Sequence, residues 1–539
     1  MKIAYCKSRI LIIIALIWLL NSGTLAAQSD KTFQSATSGV VYNLTYGTYL
    51  GGNEEDVAMS VVVDDSNYAY ITGFSQSENF PVTKRFGDST TALIPRAFIA
   101  KINLNNNQLI FSTIISGGSL EVGYNMFVDD SGNVTVSGKT LSTSLLGELN
   151  SGLEDGFLIK LNSDGTQILH LELIDGPGSD VPWGMTRDQH GNFYATGHTG
   201  SNLDGQVNNG DDDIFLIKWD QNLNKVYTRL FGGNDEDWGR DISVAPSGNI
   251  YITGWSRSDF GGQTNNGDLD IFLVKCDSNG TLVYTRMLGG PDVDFSQALT
   301  VDSDENIWVA GYTHNDLDGN ILNGLSDVVL AKWDLTGNKI FTKTFKGMGD
   351  NRAYDVITDA NNSAYIAGTT DSPDFPQVFS FQNSYNGGFD AFITKVSADG
   401  NQIVSSNYHG GSGLDRIMRL YFRNENELFA AGFTTSTDMT TVNPFQGNNA
   451  GTSDAMIIRI EPNDTCCAGP RGDFNGDWSN GNILDLTFLI DYIFRGSGNP
   501  GPCTEEDDPN GDGVSSNVLD LTYLVDFIFR SGAEPVNCP

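Results

Sequence analysis

One phrase returns seven times along this 539-residue chain, and that alone restricts it to a repeat architecture. The clearest copy runs from Tyr227 to Gly262, YTRLFGGNDEDWGRDISVAPSGNIYITGWSRSDFGG. It returns from Tyr284 as YTRMLGGPDVDFSQALTVDSDENIWVAGYTHNDLDG, and looser copies begin near Tyr46, Phe111, His170, Phe341 and Ser405. Three landmarks hold register through all seven. A glycine pair ends at Gly52, Gly118, Gly176, Gly233, Gly290, Gly347 and Gly411. A second glycine follows at Gly73, Gly138, Gly197, Gly254, Gly311, Gly368 and Gly432. A cation comes next, at Lys101, Lys160, Lys218, Lys275, Lys332, Lys395 and Arg459.

Each copy reads as four short strands. In the fourth, strand A is Asp241 to Ala245, and Ser247-Gly248-Asn249 turns the chain because Gly and Asn accept positive φ. Strand B is Ile250 to Thr253, strand C is Ile271 to Lys275 and strand D is Leu282 to Met287. Strand C is continuously apolar, which suits a strand covered on both faces. Four-stranded units repeated at this length predict an all-β fold, a seven-bladed β-propeller over residues 40–461. The array opens on a D-type strand, Leu44 to Leu50, and ends on a C-type strand, Ala455 to Ile460. The N-terminal strand is therefore expected to complete the last blade, leaving no exposed sheet edge.

These copies resemble the bacterial β-propeller repeats called SBBP repeats, through the Y-x-T-x-L-G-G opening, the D-x-x-G-N-x-Y-x-x-G hairpin and the F-L-x-K-x-D strand. The resemblance covers nearly the whole array and implies a fold without implying one activity. Copy two departs most, carrying Val122 where other copies carry Asp.

Variation in length locates the adaptable surface. Strand-B glycine and strand-C cation are 28, 22, 21, 21, 21, 27 and 27 residues apart, whereas cation to next glycine pair varies little. The B–C loops therefore carry the variation, and they emerge on the same face as the D-to-A connections. Variable loops on a rigid scaffold are where binding usually resides. Acids recur on that face: Asp56, Asp180, Asp237, Asp294 and Asp415 begin strand A, with Asn351 replacing the sixth. They read either as a ring that binds cations or, more simply, as caps on the blade-to-blade turn. A second set, Asp155, Asp213, Asp270, Asp327, Asp390 and Asp454, precedes the strand-C cation by five residues, with Arg96 in the first unit. It reads as structural repeat chemistry. The loop Asn208 to Asp213 is oxygen-rich, but its spacing is not that of a specific Ca²⁺ site. No His pair has metal spacing, and no Ser/His/Asp or Cys/His constellation is readable.

The ends differ from the array. Residues 1–27 read as a secretory signal peptide: Lys2, Lys7 and Arg9, then the apolar run Ile10 to Leu20, then Thr24, Ala26 and Ala27 as a cleavage region. That predicts a secreted or cell-surface bacterial protein with no membrane insertion. Cys466, Cys467, Cys503 and Cys538 then suit up to two disulfides, with three pairings open. After a linker at 462–471, residues 472–539 hold a duplication, GDFNGDWSNGNILDLTFLIDYIFRG and DPNGDGVSSNVLDLTYLVDFIFRSG. Each half is an oxygen-rich loop followed by an apolar stripe at helical spacing, which predicts a small α-helical Ca²⁺-loop domain. The candidate ligands are Asp473, Asn475, Asp477 and Asp485 in one loop, and Asp508, Asn510, Asp512 and Asp520 in the other.

This tail resembles a type I dockerin, built from two such EF-hand-like loop–helix repeats. It departs in placing the last acid at loop position thirteen and Trp478 after Asp477. The resemblance implies Ca²⁺ binding and a cohesin-like protein or cell-surface component as partner.

Net charge is −36, from 67 acidic and 31 basic residues, which excludes nucleic acid as a partner. The leading expectation is an exported, non-enzymatic binding or scaffold protein whose propeller face takes a polysaccharide or a protein. The alternative is an extracellular carbohydrate-active hydrolase or lyase using acids of the B–C loop face, which would need a suitably separated carboxylate pair. A third reading is a structural spacer. The sequence singles out no catalytic residue.

Overall fold

The computed structural model describes residues 34–35, 41–87 and 93–462. All regular structure among them is β. The strands form seven antiparallel units in the order A-B-C-D. In the fourth unit these are Asp237–Val244, Ile250–Ser256, Asp270–Cys276 and Leu282–Leu288. The other A strands are Asp56–Val63, Glu121–Val128, Asp180–Arg187, Asp294–Val301, Asn351–Thr358 and Asp415–Asn424. In the seventh unit the D strand comes from the other end of the array. Tyr42–Leu50 pairs antiparallel with Asp454–Pro462, with Leu50 opposite Ala455 and Leu44 opposite Ile460. The first unit gains an extra strand, Lys84–Gly87, parallel to its D strand Gln108–Ser116. In the sixth, Gln34–Ser35 lies parallel to Gln402–His409.

The tight turns are built as their sequences dictate. Asp277 Oδ1 accepts the amides of Asn279 and Thr281 at 2.9 Å, and Gly280 supplies the positive φ that closes the C–D turn. The core lies between neighbouring units. Ile271 to Val274 of strand C are at most 1% exposed, as continuous apolarity predicts. Ile214 and Leu216 of the third unit pack with Ile242, Ile252 and Phe272 of the fourth, each burial contributing about 1.5–3 kcal/mol.

Strand A begins earlier than its apolar pattern suggests, at Asp237 rather than Asp241, because a β-bulge interrupts the pattern. The A–B register shifts between Gly239 and Asp241, leaving Arg240 unpaired. The same shift recurs in every unit and leaves out Met59, Tyr124, Trp183, Gln297, Tyr354 and Met418. A bulge bends its strand and re-aims one side chain. The strand-B glycine is the necessary counterpart: a Cβ on Gly254 would stand 1.8 Å from the Trp238 carbonyl oxygen, and one on Gly197 1.8 Å from that of Val181.

Consecutive units are joined by one repeated hydrogen bond. The amide of the first A residue donates to the carbonyl just before strand C of the preceding unit. Asp237 reaches Asp212 at 2.8 Å, Asp294 reaches Leu269 at 2.7 Å and Asp415 reaches Phe389 at 2.6 Å. Asp56 makes the same bond to Ser453 at 2.9 Å, so the first unit is joined to the last. Neighbouring A strands pack on one another, and the A strand of unit seven packs on that of unit one.

Candidate functional site

The bulges bring aromatic rings of units two to five together near the B–C loop end. Trp183 lies 4.8 Å from Tyr124 between ring centroids and stacks on His198, which lies flat against Trp238 at 3.8 Å. Trp238 stacks on Trp255 at 4.8 Å, and Phe295 and Tyr312 continue the belt. Trp183, Trp238 and Phe295 remain partly exposed. The rings are fixed by polar contacts: Trp238 Nε1 donates to Asp212 of the B–C loop at 2.9 Å, and Trp183 Nε1 to His198 Nδ1 at 3.1 Å. Burial lowers the His198 pKa to about 3, so this imidazole is a neutral acceptor. Guanidinium groups cover the rings: Arg240 lies 4.2 Å from the Trp183 centroid, Arg352 5.0 Å from Tyr312 and Arg416 4.8 Å from Tyr354. The Nε atoms of Arg240 and Arg416 are buried without a hydrogen-bond acceptor. Arg352 is held by Asp350 at 2.6 and 2.7 Å, and the partly exposed aromatic faces beside these guanidinium groups offer stacking next to positive charge.

A cavity of about 330 Å³ is ringed by A-strand residues of all seven units, from Ser60 through Asn125, Met185, Asp241, Leu299 and Asp355 to Arg419. Arg419 bridges it, donating to Asn125 Oδ1 at 2.6 Å and to Asp355 at 3.4 Å, with Asp241 3.9 Å away. The two acids are otherwise held by backbone amides, Leu299 on Asp241 at 2.9 Å and Leu420 on Asp355 at 2.6 Å. Burial raises Asp241 to about 6 and raises Asp355 as well, although Arg419 opposes both shifts.

The repeated acids lie at the joints between units, not on an open ring, and every one of them is fully buried. The strand-A acids cap the turn: Gly52, Gly176, Gly233, Gly290 and Gly411 donate their amides to Asp56, Asp180, Asp237, Asp294 and Asp415 at 2.6–2.8 Å. Asn351 reverses the polarity, donating to the Gly347 carbonyl at 3.4 Å. The second unit is not missing its acid. Glu121, one residue before Val122, accepts from Thr140 at 2.9 Å and from Ser142. The strand-C acids use one oxygen on their own B–C loop, as Asp213 on the Asn209 amide at 2.8 Å and Asp270 on that of Asn266 at 2.7 Å. Spacing within one strand hides what the fold does next: it places each strand-C acid against the first strand-A residue of the following unit, an acid in every case but Asp327, which meets Asn351. Asp155 and Asp180 are register partners in a parallel bridge.

Burial and neighbouring carboxylates push these groups up, Asp155 to about 8, Asp390 to about 7 and Asp237, Asp270 and Asp454 to about 6. The Asn208 to Asp213 loop spends its oxygens internally: Asn208 Oδ1 accepts from Gly210 and Asp213 Oδ2 from Asn209. Among the described residues, no three His, Cys, Asp or Glu side chains converge as a metal cluster. Three strand-C cations, Lys160, Lys332 and Lys395, find partners that strand reasoning missed, the A–B turn acids of their own units. Lys160 meets Asp129 at 2.9 Å and Lys332 meets Asp302 at 3.0 Å.

Several sequence expectations lie outside the described residues: the signal peptide, the four C-terminal cysteines, and the Ca²⁺ ligands Asp473, Asn475, Asp477, Asp485, Asp508, Asn510, Asp512 and Asp520. No helix among the described residues is long and apolar enough to cross a membrane.

These features define a protein built on β-propeller repeats. Residues 226–261 and 283–318 match the SBBP β-propeller repeat family. The chain is also similar to regulatory protein FlaEY of Caulobacter vibrioides, 24% identical over 63% of this chain and 33% of the relative. It is similar to an uncharacterized WD repeat-containing protein of Acanthamoeba polyphaga mimivirus, 24% identical over 58% of this chain and 24% of that protein. The chain thus spans a third or less of the length of these relatives. Among solved structures, the polysaccharide lyase Uly1 matches 79% of this chain and 100% of its own at 9% identity and a TM-score of 0.43, a distant likeness of fold.

Proposed function

We propose that the seven units are the blades of a closed seven-bladed propeller, and that its B–C loop face binds a glycan without transforming it. The observation that carries this reading is the belt of Trp183, His198, Trp238 and Trp255 with Arg240 over Trp183, extended by Arg352 over Tyr312 and flanked by Arg416 over Tyr354. In a chain of net charge −36, the guanidinium groups of Arg240 and Arg416, which make no ion pair among the described residues, favour an anionic sugar such as a uronate, whereas Arg352 is already paired with Asp350 at 2.6 Å. Exposed apolar residues on the same loops, Leu149, Leu153, Val207, Ile321 and Leu325, widen the contact surface. Export, and attachment through a dockerin-like Ca²⁺ tail to a cohesin-like partner or cell-surface component, complete the proposal. The tail would hold its two ions on the acids named above.

A hydrolase or lyase is the alternative. The acid pairs have the raised pKa values of general acids, but they are fully buried in the joints and repeat around the array, whereas a catalytic pair must meet substrate. The test is tryptophan fluorescence of the full chain titrated with oligouronates and, in parallel, with neutral cello-oligosaccharides. Saturable quenching by oligouronates that is lost in Trp238→Ala supports binding. Chain shortening of the oligouronate during the titration would instead establish the enzyme, and no response to either series would refute a glycan site.

A further inference from the structure

Seven joints offer seven versions of one arrangement, and their differences are informative. Five carry two carboxylates each: Asp56 with Asp454, Asp155 with Asp180, Asp213 with Asp237, Asp270 with Asp294, and Asp390 with Asp415. All ten side chains are fully buried. Each uses its Oδ2 on a loop amide, and nine of the ten leave their Oδ1 without a hydrogen-bond donor, the exception being Asp237, whose Oδ1 accepts from Ser258 at 3.2 Å. The strand-end hydroxyls nearest three of them do not help. Thr199, Ser256 and Thr313 give their hydrogens to the carbonyls of Ser201, Ser258 and Asn315. The two acids of a pair crowd one point: a Cβ on Gly232 would lie 2.1 Å from Asp213 Oδ1 and 3.0 Å from Asp237 Oδ2. On Gly410 it would lie 2.8 Å from Asp390 Oδ1 and 2.7 Å from Asp415 Oδ2. Beside Asp155 Oδ1 the carbonyl oxygens of Gly176 and Gly178 approach the same point, 2.7 and 2.1 Å from a Cβ on Gly152.

The remaining two joints carry one acid each and a basic residue at one of the repeated positions. Where Asn351 replaces the strand-A acid, Lys346 stands in the place of the first glycine, and its charge favours ionised Asp327. Where Glu121 is the strand-A acid, Arg96 stands in the place of the strand-C acid, so that joint holds one carboxylate, and the Arg96 charge favours ionised Asp56 of its own unit. A joint therefore holds either one carboxylate with a basic side chain at a repeated position, or two carboxylates with unused oxygens, and of the latter only Asp56 has a cation, Arg96, acting on it among the described residues. Two buried like charges with no counter-charge are too costly to persist.

We propose that a divalent cation, Ca²⁺ by the chemistry of its donors, occupies each of the five two-carboxylate joints and ties consecutive units together. The donors are hard oxygens throughout, carboxylate, backbone carbonyl and hydroxyl, in an irregular set that suits Ca²⁺ better than Mg²⁺. The sites are independent of the glycan-binding reading and separate from the C-terminal loops.

The test uses the full chain with the tail ligands silenced by Asp473→Ala, Asp477→Ala, Asp508→Ala and Asp512→Ala, stripped with EDTA and titrated calorimetrically with CaCl₂. Uptake by this chain, with a thermal midpoint that rises with Ca²⁺ and falls back with EDTA, is the expected result. Adding Asp237→Asn, which preserves shape, removes about one equivalent and leaves the others. The proposal is overturned if the tail-silenced chain takes up no Ca²⁺, or if Asp237→Asn leaves stoichiometry unchanged. In the first case each pair shares a proton instead, and the Asp237→Asn chain is as stable in EDTA as its parent or more so.

Discussion

Replacing Arg419 with Met separates charge from packing at the centre of the molecule. The guanidinium is the counter-charge common to Asp241 and Asp355, and Met retains most of its apolar stem. Removing one partner of a buried ion pair costs about 3–5 kcal/mol. About a quarter of the Arg419 side chain is accessible within the central cavity, so solvent there moderates the loss towards the lower figure. The cost depends on pH in a definite direction. Asp241 is already held at about 6, above its value in an unfolded chain, so the folded state binds that proton more tightly. Such a group destabilises the fold once pH rises past its unfolded pKa, and increasingly so up to its folded pKa. Without Arg419 both acids rise further. At pH 8 they must ionise uncompensated, and the full ~3 kcal/mol is lost. At pH 5 Asp241 folds protonated and the deficit shrinks towards a packing loss of about 1 kcal/mol. Urea unfolding of parent and Arg419→Met chains, followed by tryptophan fluorescence at both pH values and fixed Ca²⁺, measures the difference. Adding Asp355→Asn should recover roughly half of the pH 8 deficit. Equal deficits at pH 5 and pH 8 would show that Arg419 acts by packing alone and would refute the argument.

Gly254→Ala puts a Cβ 1.8 Å from the Trp238 carbonyl oxygen and 2.9 Å from the Phe272 ring, and should cost about 3 kcal/mol or more in urea denaturation. Trp238→Ala removes the central ring of the belt and should weaken oligouronate binding about tenfold, roughly 1.4 kcal/mol, in a fluorescence titration. In EDTA, the thermal midpoint should rise as pH falls from 8 to 5. Asp155 at about 8 and Asp390 at about 7 then take up protons in the folded state before the unfolded chain does. Ca²⁺ should flatten that dependence, because a bound cation replaces the proton.

The array was legible because its information is local and repeated. Glycine pairs, strand-B glycines and turn signatures gave four strands per unit, and the unmatched end strands gave the pairing of Tyr42–Leu50 with Asp454–Pro462. The Asp caps were legible too, since an Asx-type turn is a short-range event. Glu121 was missed by counting from the wrong glycine: Gly118 has φ of 103°, and the cap in that unit is made on Gly117. The bulge was missed because it breaks the period-two pattern by which a strand is recognised. Arg419 and its partners come from units two, four, six and seven, and no spacing rule connects positions so far apart.

The division between repeated and unrepeated positions explains where the chemistry lies. Positions that recur build joints: the glycine at the turn, the acid of strand A, the acid of strand C and the glycine facing the bulge. The residue after each strand-A acid is instead free to differ, and in units three to seven it is Val181, Trp238, Phe295, Arg352 and Arg416. The bulged residue differs as well, Trp183, Arg240, Gln297, Tyr354 and Met418 in the same units. Both positions lie on the inner strand, next to a backbone fixed by the joints, so a change there alters the belt without altering the scaffold. A site built this way needs rigid joints, because rings 4.8 Å apart, such as Trp238 and Trp255, stay stacked only if their strands do not slide. Cations held between units would supply that rigidity, so loss of Ca²⁺ should loosen ligand binding at the belt even though no ligand touches the metal.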